Sequence, residues 1–260
     1  GLRRDKGDIR CNTSMARLSL KNGKFKECVK YCDRAIERLC DRNEHPADTE
    51  ALYLKGVALE YLGEYDKAYD ILYRAAWNYP HRSAALFELA CIDCRNGEYT
   101  EALKKLGESI GLNKGHTKAH NLESAIKRKI GCECAEKSAE DGISDDRLDL
   151  FALIEYSHFA DVKDRIAQFA AKPENLLDVA RDYMKAGLYQ DALYALSFAE
   201  DNSPLVNYYK AYITKDKSFI DKAEKAEMNY CFPSNVEDIA VLEYAIENRK
   251  NAANANYYLG

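Results

Sequence analysis

The sequence predicts an all-α chain of about 13–14 helices stacked as antiparallel pairs. A glycine-led block recurs at a fixed spacing, and only five prolines and 13 glycines occur, placed singly as punctuation. The stretches between them are rich in Lys, Glu, Ala, Leu and Tyr, a composition that favours helix over strand.

The block Gly63-Glu64-Tyr65-Asp66-Lys67-Ala68 returns 34 residues later as Gly97-Glu98-Tyr99-Thr100-Glu101-Ala102. The same offset carries Leu72 to Leu106 and Ala75 to Ser109. Another copy reads Gly187-Leu188-Tyr189-Gln190-Asp191-Ala192, with Leu196 and Ala199 after it. A looser one opens the chain at Gly23-Lys24-Phe25, followed by Cys28, Cys32 and Ala35. Each position has a mechanical reason. Glycine ends the first helix, where a left-handed residue costs least. The aromatic two places on pins the turn to the core, and the small residue three further on marks the closest helix approach. Gly56, Ala90 and Ala180, seven places before their glycines, form a second small column. Pro80 and Pro204 are expected to stop the second helices of their units. In the copy near Thr117, Gly131 is in place but Lys137 stands where the small residue belongs.

This pattern resembles the tetratricopeptide repeat, which implies a right-handed superhelix whose first helices line a concave groove for peptides or partner helices. Units are expected at 8–41, 49–82, 83–116 and 173–206. The first has a longer exit loop, Asp41-Arg42-Asn43-Glu44-His45-Pro46. The organisation expected is an N-terminal run over 1–140, an irregular seam over 141–172, and a C-terminal run over 173–260 that stops in mid-repeat. Gly1 without a methionine and that stop predict a piece of a longer protein. In the C-terminal half, Asp146–Leu153, Ser203-Pro204-Leu205, Asn229-Tyr230-Cys231-Phe232-Pro233 and Asn256-Tyr257-Tyr258-Leu259-Gly260 follow an order similar to that of large bacterial proteins. Those proteins carry a β-rich N-terminal domain of unknown function ahead of a tetratricopeptide tail. The resemblance implies a carbohydrate setting, and an intramolecular contact with such a domain.

The composition narrows the function. With 47% hydrophobic residues, 260 residues carry enough apolar material for a continuous core and are not a disordered chain. A net charge of -5 argues against a nucleic-acid scaffold, whose affinity comes mostly from phosphate contacts. No stretch approaches the roughly 20 apolar residues that span a bilayer, so no membrane partner is expected. Nine cysteines scattered through helical segments read as reduced thiols of a cytoplasmic protein rather than a disulfide scaffold.

The candidate binding residues are those the repeat projects onto the concave face: Tyr53, Val57, Tyr61, Phe87, Cys91, Arg95, Asn121, Arg128, Arg181 and Lys185. They run from aromatic to basic, which suits an acidic or amphipathic segment. Packing against neighbouring coils is the competing reading. A tetratricopeptide subclass grips chaperone C-termini with Lys and Asn, but the matching places hold Thr13, Arg17, Tyr53, Val57, Phe87 and Cys91. Cys91, Cys94, Cys132 and Cys134 offer four thiols at short spacing, weighed as zinc ligands against ordinary helix packing. The packing reading is preferred, and no metal or cofactor is expected. His45, His81, His116, His120 and His158 lie in no nucleophile or metal motif, so no catalytic residue is predicted. The reading is a non-catalytic scaffold for a protein or peptide partner. The alternative is a helical accessory region of a carbohydrate-active or sugar-binding bacterial protein.

Overall fold

The structure, a computed structural model, describes residues 5–41, 46–199, 203–228 and 231–260. The exit loop at 42–45 with His45, and Asn229 and Tyr230, lie outside the described residues. Sixteen helices and no strand occur among the described residues. They are α1 (Ile9–Lys21), α2 (Phe25–Leu39), α3 (Glu50–Tyr61), α4 (Tyr65–Ala75), α5 (Tyr79–Asn96), α6 (Tyr99–Leu112), α7 (Thr117–Lys129) and α8 (Ala135–Asp145). There follow α9 (Leu150–Tyr156), α10 (Lys163–Ala170), α11 (Pro173–Lys185), α12 (Tyr189–Leu196), α13 (Pro204–Thr214), α14 (Ser218–Lys225), α15 (Glu237–Asn248) and α16 (Ala253–Leu259). The number exceeds the 13–14 expected because several late helices are short: α14 has 8 residues and α16 has 7.

The first helix of five pairs ends the same way. Gly23, Gly63, Gly97, Gly131 and Gly187 have φ between 68° and 83°. The amide after each glycine reaches back to the carbonyl five residues earlier, as Glu64 to Leu59 and Leu188 to Tyr183, both at 2.9 Å. This 6→1 bond closes a Schellman cap and satisfies a carbonyl the helix end leaves over. In four pairs the second helix then begins on the aromatic residue itself, at Phe25, Tyr65, Tyr99 and Tyr189. The residue before each, Lys24, Glu64, Glu98 or Leu188, has φ from -89° to -82° and ψ from 59° to 62°. One backbone turn is thus used four times.

Two sequence expectations need correction. Pro80, Pro173 and Pro204 sit in the first turns of α5, α11 and α13, where the missing N–H is one of the helix's orphan donors anyway. They open helices rather than close the preceding ones. In α8 the small residue at the crossing is Ala135, buried to 4%, and not a residue near Lys137, which is exposed. Glu136, five places past Gly131, is also exposed, so the helix is seated one residue ahead of the repeat register.

Contacts divide the chain into two compact units, Gly1–Glu123 and Ser124–Gly260. In the first, consecutive helices α1 to α6 pack in order, and α1, α3 and α5 also touch one another in sequence. Its core holds Leu52, Leu59, Ala68, Leu72, Ala85 and Leu89, with Cys28, Cys32 and Leu54 in a neighbouring cluster. The sulfurs of Cys28 and Cys32 are fully buried there, as small apolar side chains usually are. In the second unit α9 packs on α8, α10 and α11, and α13 on α12, α14 and α15. Tyr183, Tyr208 and Tyr209 are among its largest fully buried side chains. Each tyrosine hydroxyl is placed on a carboxylate, as burial requires.

Candidate functional site

The stacking of α1, α3 and α5 brings equivalent positions into three rows across the first unit. The first row is Thr13, Tyr53 and Phe87, and Asn121 holds the equivalent repeat position on α7. Thr13 and Asn121 are buried to 6% and 8%, and the Thr13 hydroxyl donates to the Ile9 carbonyl at 2.9 Å. Tyr53 is half-buried, its hydroxyl donating to Glu88 Oε1 at 3.2 Å and its ring stacked on His81. The Thr49 hydroxyl lies 3.2 Å from His81 Nδ1. Phe87 is buried to 8% with its ring centroid 4.9 Å from that of His116. The second row, Arg17, Val57 and Cys91, closes in step: Arg17 is exposed and paired with Glu50, while Val57 and Cys91 are buried.

The third row, Lys21, Tyr61 and Arg95, lies at the C-terminal ends of these helices and is the most open. Lys21 is exposed, Tyr61 keeps 37% of its surface, and Arg95 is half-buried. Each of the last two covers the turn aromatic of the preceding pair. Tyr61 stacks on Phe25 at 4.6 Å, and the Arg95 guanidinium sits 4.7 Å from the Tyr65 ring centre. The row is therefore held in place by π contacts, with an edge left to solvent.

His116 ties this unit to pH. Burial lowers its pKa below the ordinary histidine value, and its Nδ1 accepts the Ala119 N–H at 3.2 Å, which only an unprotonated Nδ1 can do. Because the folded pKa is depressed, the unfolded chain takes up the proton first as pH falls. The stabilisation is complete above the unperturbed value of about 6.5 and is lost as pH drops from there through the lower folded value. Thermal melts from about pH 7.5 to 5.5 should show a falling Tm that His116→Asn, which keeps a side-chain acceptor, flattens. An equal slope in both proteins would show that His116 is not the group responsible.

In the second unit the candidate arginines hold the helices together. Arg128, at the end of α7, donates to both Glu155 oxygens, Nε to Oε2 at 2.7 Å and Nη2 to Oε1 at 3.0 Å, and to Asp191 Oδ1 at 2.5 Å. The Tyr183 hydroxyl completes the cluster by donating to Glu155 Oε1 at 2.5 Å. Burial opposes the charge on Arg128, but Glu155 and Asp191 outweigh it and hold its pKa above the ordinary value. Burial, then the Glu155 charge, drives Tyr183 well above the ordinary phenol value and keeps it a donor.

Arg181, buried to 8%, donates to the Tyr209 hydroxyl, Asp178 and Asp238 at 2.6–2.8 Å. Asp238 also accepts the Tyr209 hydroxyl and the backbone amides of Ser234 and Asn235. This node joins α11, α13 and α15. Lys185 is half-buried on α11. The sequence missed Glu155, Asp191 and Asp238 because they lie 27 to 63 residues from their arginines, off the repeat period.

Among the described residues no group of three or more His, Cys, Asp or Glu side chains is arranged to hold a metal ion. Cys91 and Cys94 are buried in α5. Cys132 and Cys134 are joined in a disulfide, the turn after α7 bringing their Cα atoms to 5.2 Å, which corrects the reduced-thiol expectation for these two; the other seven cysteines are free. No helix among the described residues is long and apolar enough to cross a membrane.

No protein-family model matches the chain. Hsp70-Hsp90 organizing protein 2 of Arabidopsis thaliana is 31% identical over 106 residues, 40% of this chain. The chain spans 16% of the length of that relative. A tetratricopeptide repeat protein from Parabacteroides merdae superposes over 96% of this chain and 97% of its own, with a TM-score of 0.53 at 12% identity. A chain of the APC/C hetero-tetramer Cut9–Hcn1 superposes over 99% of this chain and 43% of its own, with a TM-score of 0.51 at 16% identity. With the repeated glycine cap, the aromatic turn and the ordered stacking of helix pairs, these likenesses identify the fold as that of tetratricopeptide-repeat proteins.

Proposed function

We propose that the chain is a non-catalytic scaffold that binds an acidic or amphipathic segment of a protein partner along the first helices of its N-terminal pairs. The observation that carries this reading is the open third row, in which Lys21, Tyr61 and Arg95 present two cations and an aromatic ring at equivalent positions of successive helices. Rigid aromatic and arginine side chains are favoured at binding hot spots because little entropy is lost in fixing them. Half-buried Tyr53 extends this surface. The buried Val57, Phe87, Cys91 and Asn121 belong to the same unit and support the fold rather than touch a ligand, and Arg181 is held within the second unit by Asp178, Tyr209 and Asp238. The Cut9–Hcn1 hetero-tetramer, a neighbour in fold, is itself an assembly. The organizing protein's name points to chaperones, but Thr13, Arg17, Tyr53, Val57, Phe87 and Cys91 supply no Lys–Asn clamp for a chaperone C-terminus.

A photo-crosslinking amino acid at position 61 or 95 tests the site. The expected result is covalent capture of one partner from those positions and none from position 73, which is exposed on α4. Capture from position 73 alone would move the binding surface to the second helices and end this reading.

A further inference from the structure

The turn after α7 departs from the other four in a way that gives it a chemistry of its own. Elsewhere the glycine is followed by a cap residue and an aromatic that opens the second helix. Here Gly131 is followed by Cys132, Glu133 and Cys134, and α8 begins only at Ala135, four places past the glycine instead of two. In the regular turns the cap carbonyl accepts from the amide four residues on, as Glu64 from Ala68 at 2.9 Å and Leu188 from Ala192 at 3.0 Å. The Cys132 carbonyl instead accepts from Ala135, three residues on, at 3.0 Å. The cap of α8 is Cys134, with φ -83° and ψ 0°, unlike the shared geometry of the other four caps.

The Cys132–Cys134 disulfide accounts for the departure. Side chains two apart on a helix point to opposite sides, so this bond and a regular helix through Glu133 and Cys134 exclude each other. Nor is the bond a useful staple. A disulfide stabilises chiefly by closing a long loop in the unfolded chain, and this one spans a separation of two. Neither cysteine is buried: Cys134 is exposed and Cys132 half-exposed. Cys134 heads α8, an 11-residue helix, where the N-terminal dipole favours a thiolate.

We infer that Cys132 and Cys134 form a redox-active dithiol that exchanges with low-molecular-weight disulfides and sets where α8 begins. The Cys134 thiolate attacks one sulfur of a disulfide RSSR, forming a mixed disulfide and expelling RS⁻. The Cys132 thiolate then attacks the Cys134 sulfur, closes the intramolecular bond and expels the second RS⁻. The two protons lost by the cysteines end on the two RSH molecules, so the dithiol is oxidised as RSSR is reduced. In the reduced state α8 starts two residues earlier, as in the other pairs. Ala135 and Ala139, buried to 4% and 1%, keep the helix seated.

The test uses the whole chain equilibrated with oxidised or reduced glutathione, alkylated and digested for mass spectrometry, with hydrogen exchange read in parallel. The expected result is loss of alkylation at both positions 132 and 134 in oxidised glutathione and its return in reduced glutathione, with slower exchange of the amides at 136 and 137, which gain the carbonyls of 132 and 133 as partners, in the reduced chain. Cys132→Ser should accumulate glutathione at Cys134, and Cys134→Ser far less at Cys132. Cys132→Ala/Cys134→Ala should keep the helical circular dichroism and lose the glutathione-dependent change in exchange. Full alkylation of both thiols after oxidised glutathione would overturn the couple. Identical exchange at 136 and 137 in the two states would overturn the control of α8.

Discussion

Glu155→Ala should cost the fold about 3–5 kcal/mol, the range for breaking one side of a buried ion pair. Glu155 is fully buried on α9 and accepts two bonds from Arg128 and one from Tyr183. Removing it leaves a guanidinium that is 18% exposed with only Asp191 to balance it, and a buried phenol without its acceptor. Both groups then bear a desolvation cost that water cannot relieve. Glu155→Gln, which keeps an acceptor of the same shape, should fall between wild type and alanine. Glu140→Ala is the control: its pair with Lys137 is 54% and 68% exposed, and such pairs contribute about 0–1 kcal/mol. Urea unfolding followed by circular dichroism gives all three values. A Glu155→Ala cost no larger than that of Glu140→Ala would show that the cluster is not a fold determinant.

The same cluster shows where a single sequence stops being informative. The repeat positions were legible because each acts locally: a left-handed glycine, an aromatic two residues on, a small residue where helices cross. All five glycines of that series have positive φ, and Ala68, Ala102 and Ala192 are fully buried. Arg128 and Arg181 were legible only as residues on an inner helix face. What an inner face meets depends on how closely the next helix stacks, and that spacing is set by side chains dozens of residues away. Phe87 and Cys91 occupy the projected face yet are buried, whereas Tyr61 and Arg95, one and two turns further on, keep contact with solvent. The sequence reading named candidate positions; tertiary packing decided which of them stay open. The Cys132-Glu133-Cys134 turn was visible as a break in the pattern, but its missing aromatic carried no sign that the two sulfurs would meet.

The second large effect is expected at Gly56, where helix propensity and packing pull in opposite directions. Gly56→Ala in the middle of a helix should by itself gain about 1 kcal/mol. The added Cβ, however, would lie 2.5 Å from both Cγ and Cδ2 of Leu72. Leu72 is fully buried in the main core of the first unit, together with Leu52, Ala68 and Leu89. Its Cγ is the branch point of the side chain, so no simple swing of a methyl clears the clash, and α3 and α4 must move apart. Overpacking of this kind costs about 1–3 kcal/mol, so the substitution should be net destabilising. The equivalent positions Ala90 and Ala180 already carry that methyl and are fully buried, so a methyl fits at those crossings, whereas at Gly56 it meets Leu72. Leu72→Ala removes both atoms in conflict, so Gly56→Ala should cost less in that background than in wild type, a coupling a double-mutant cycle measures directly. Leu at Ala68, Ala102 or Ala192 adds still more volume at fully buried crossings and should lower Tm in each case. If Gly56→Ala stabilised the chain as propensity alone dictates, α3 and α4 would accommodate the methyl without strain, and the small column would reflect helix preference rather than contact.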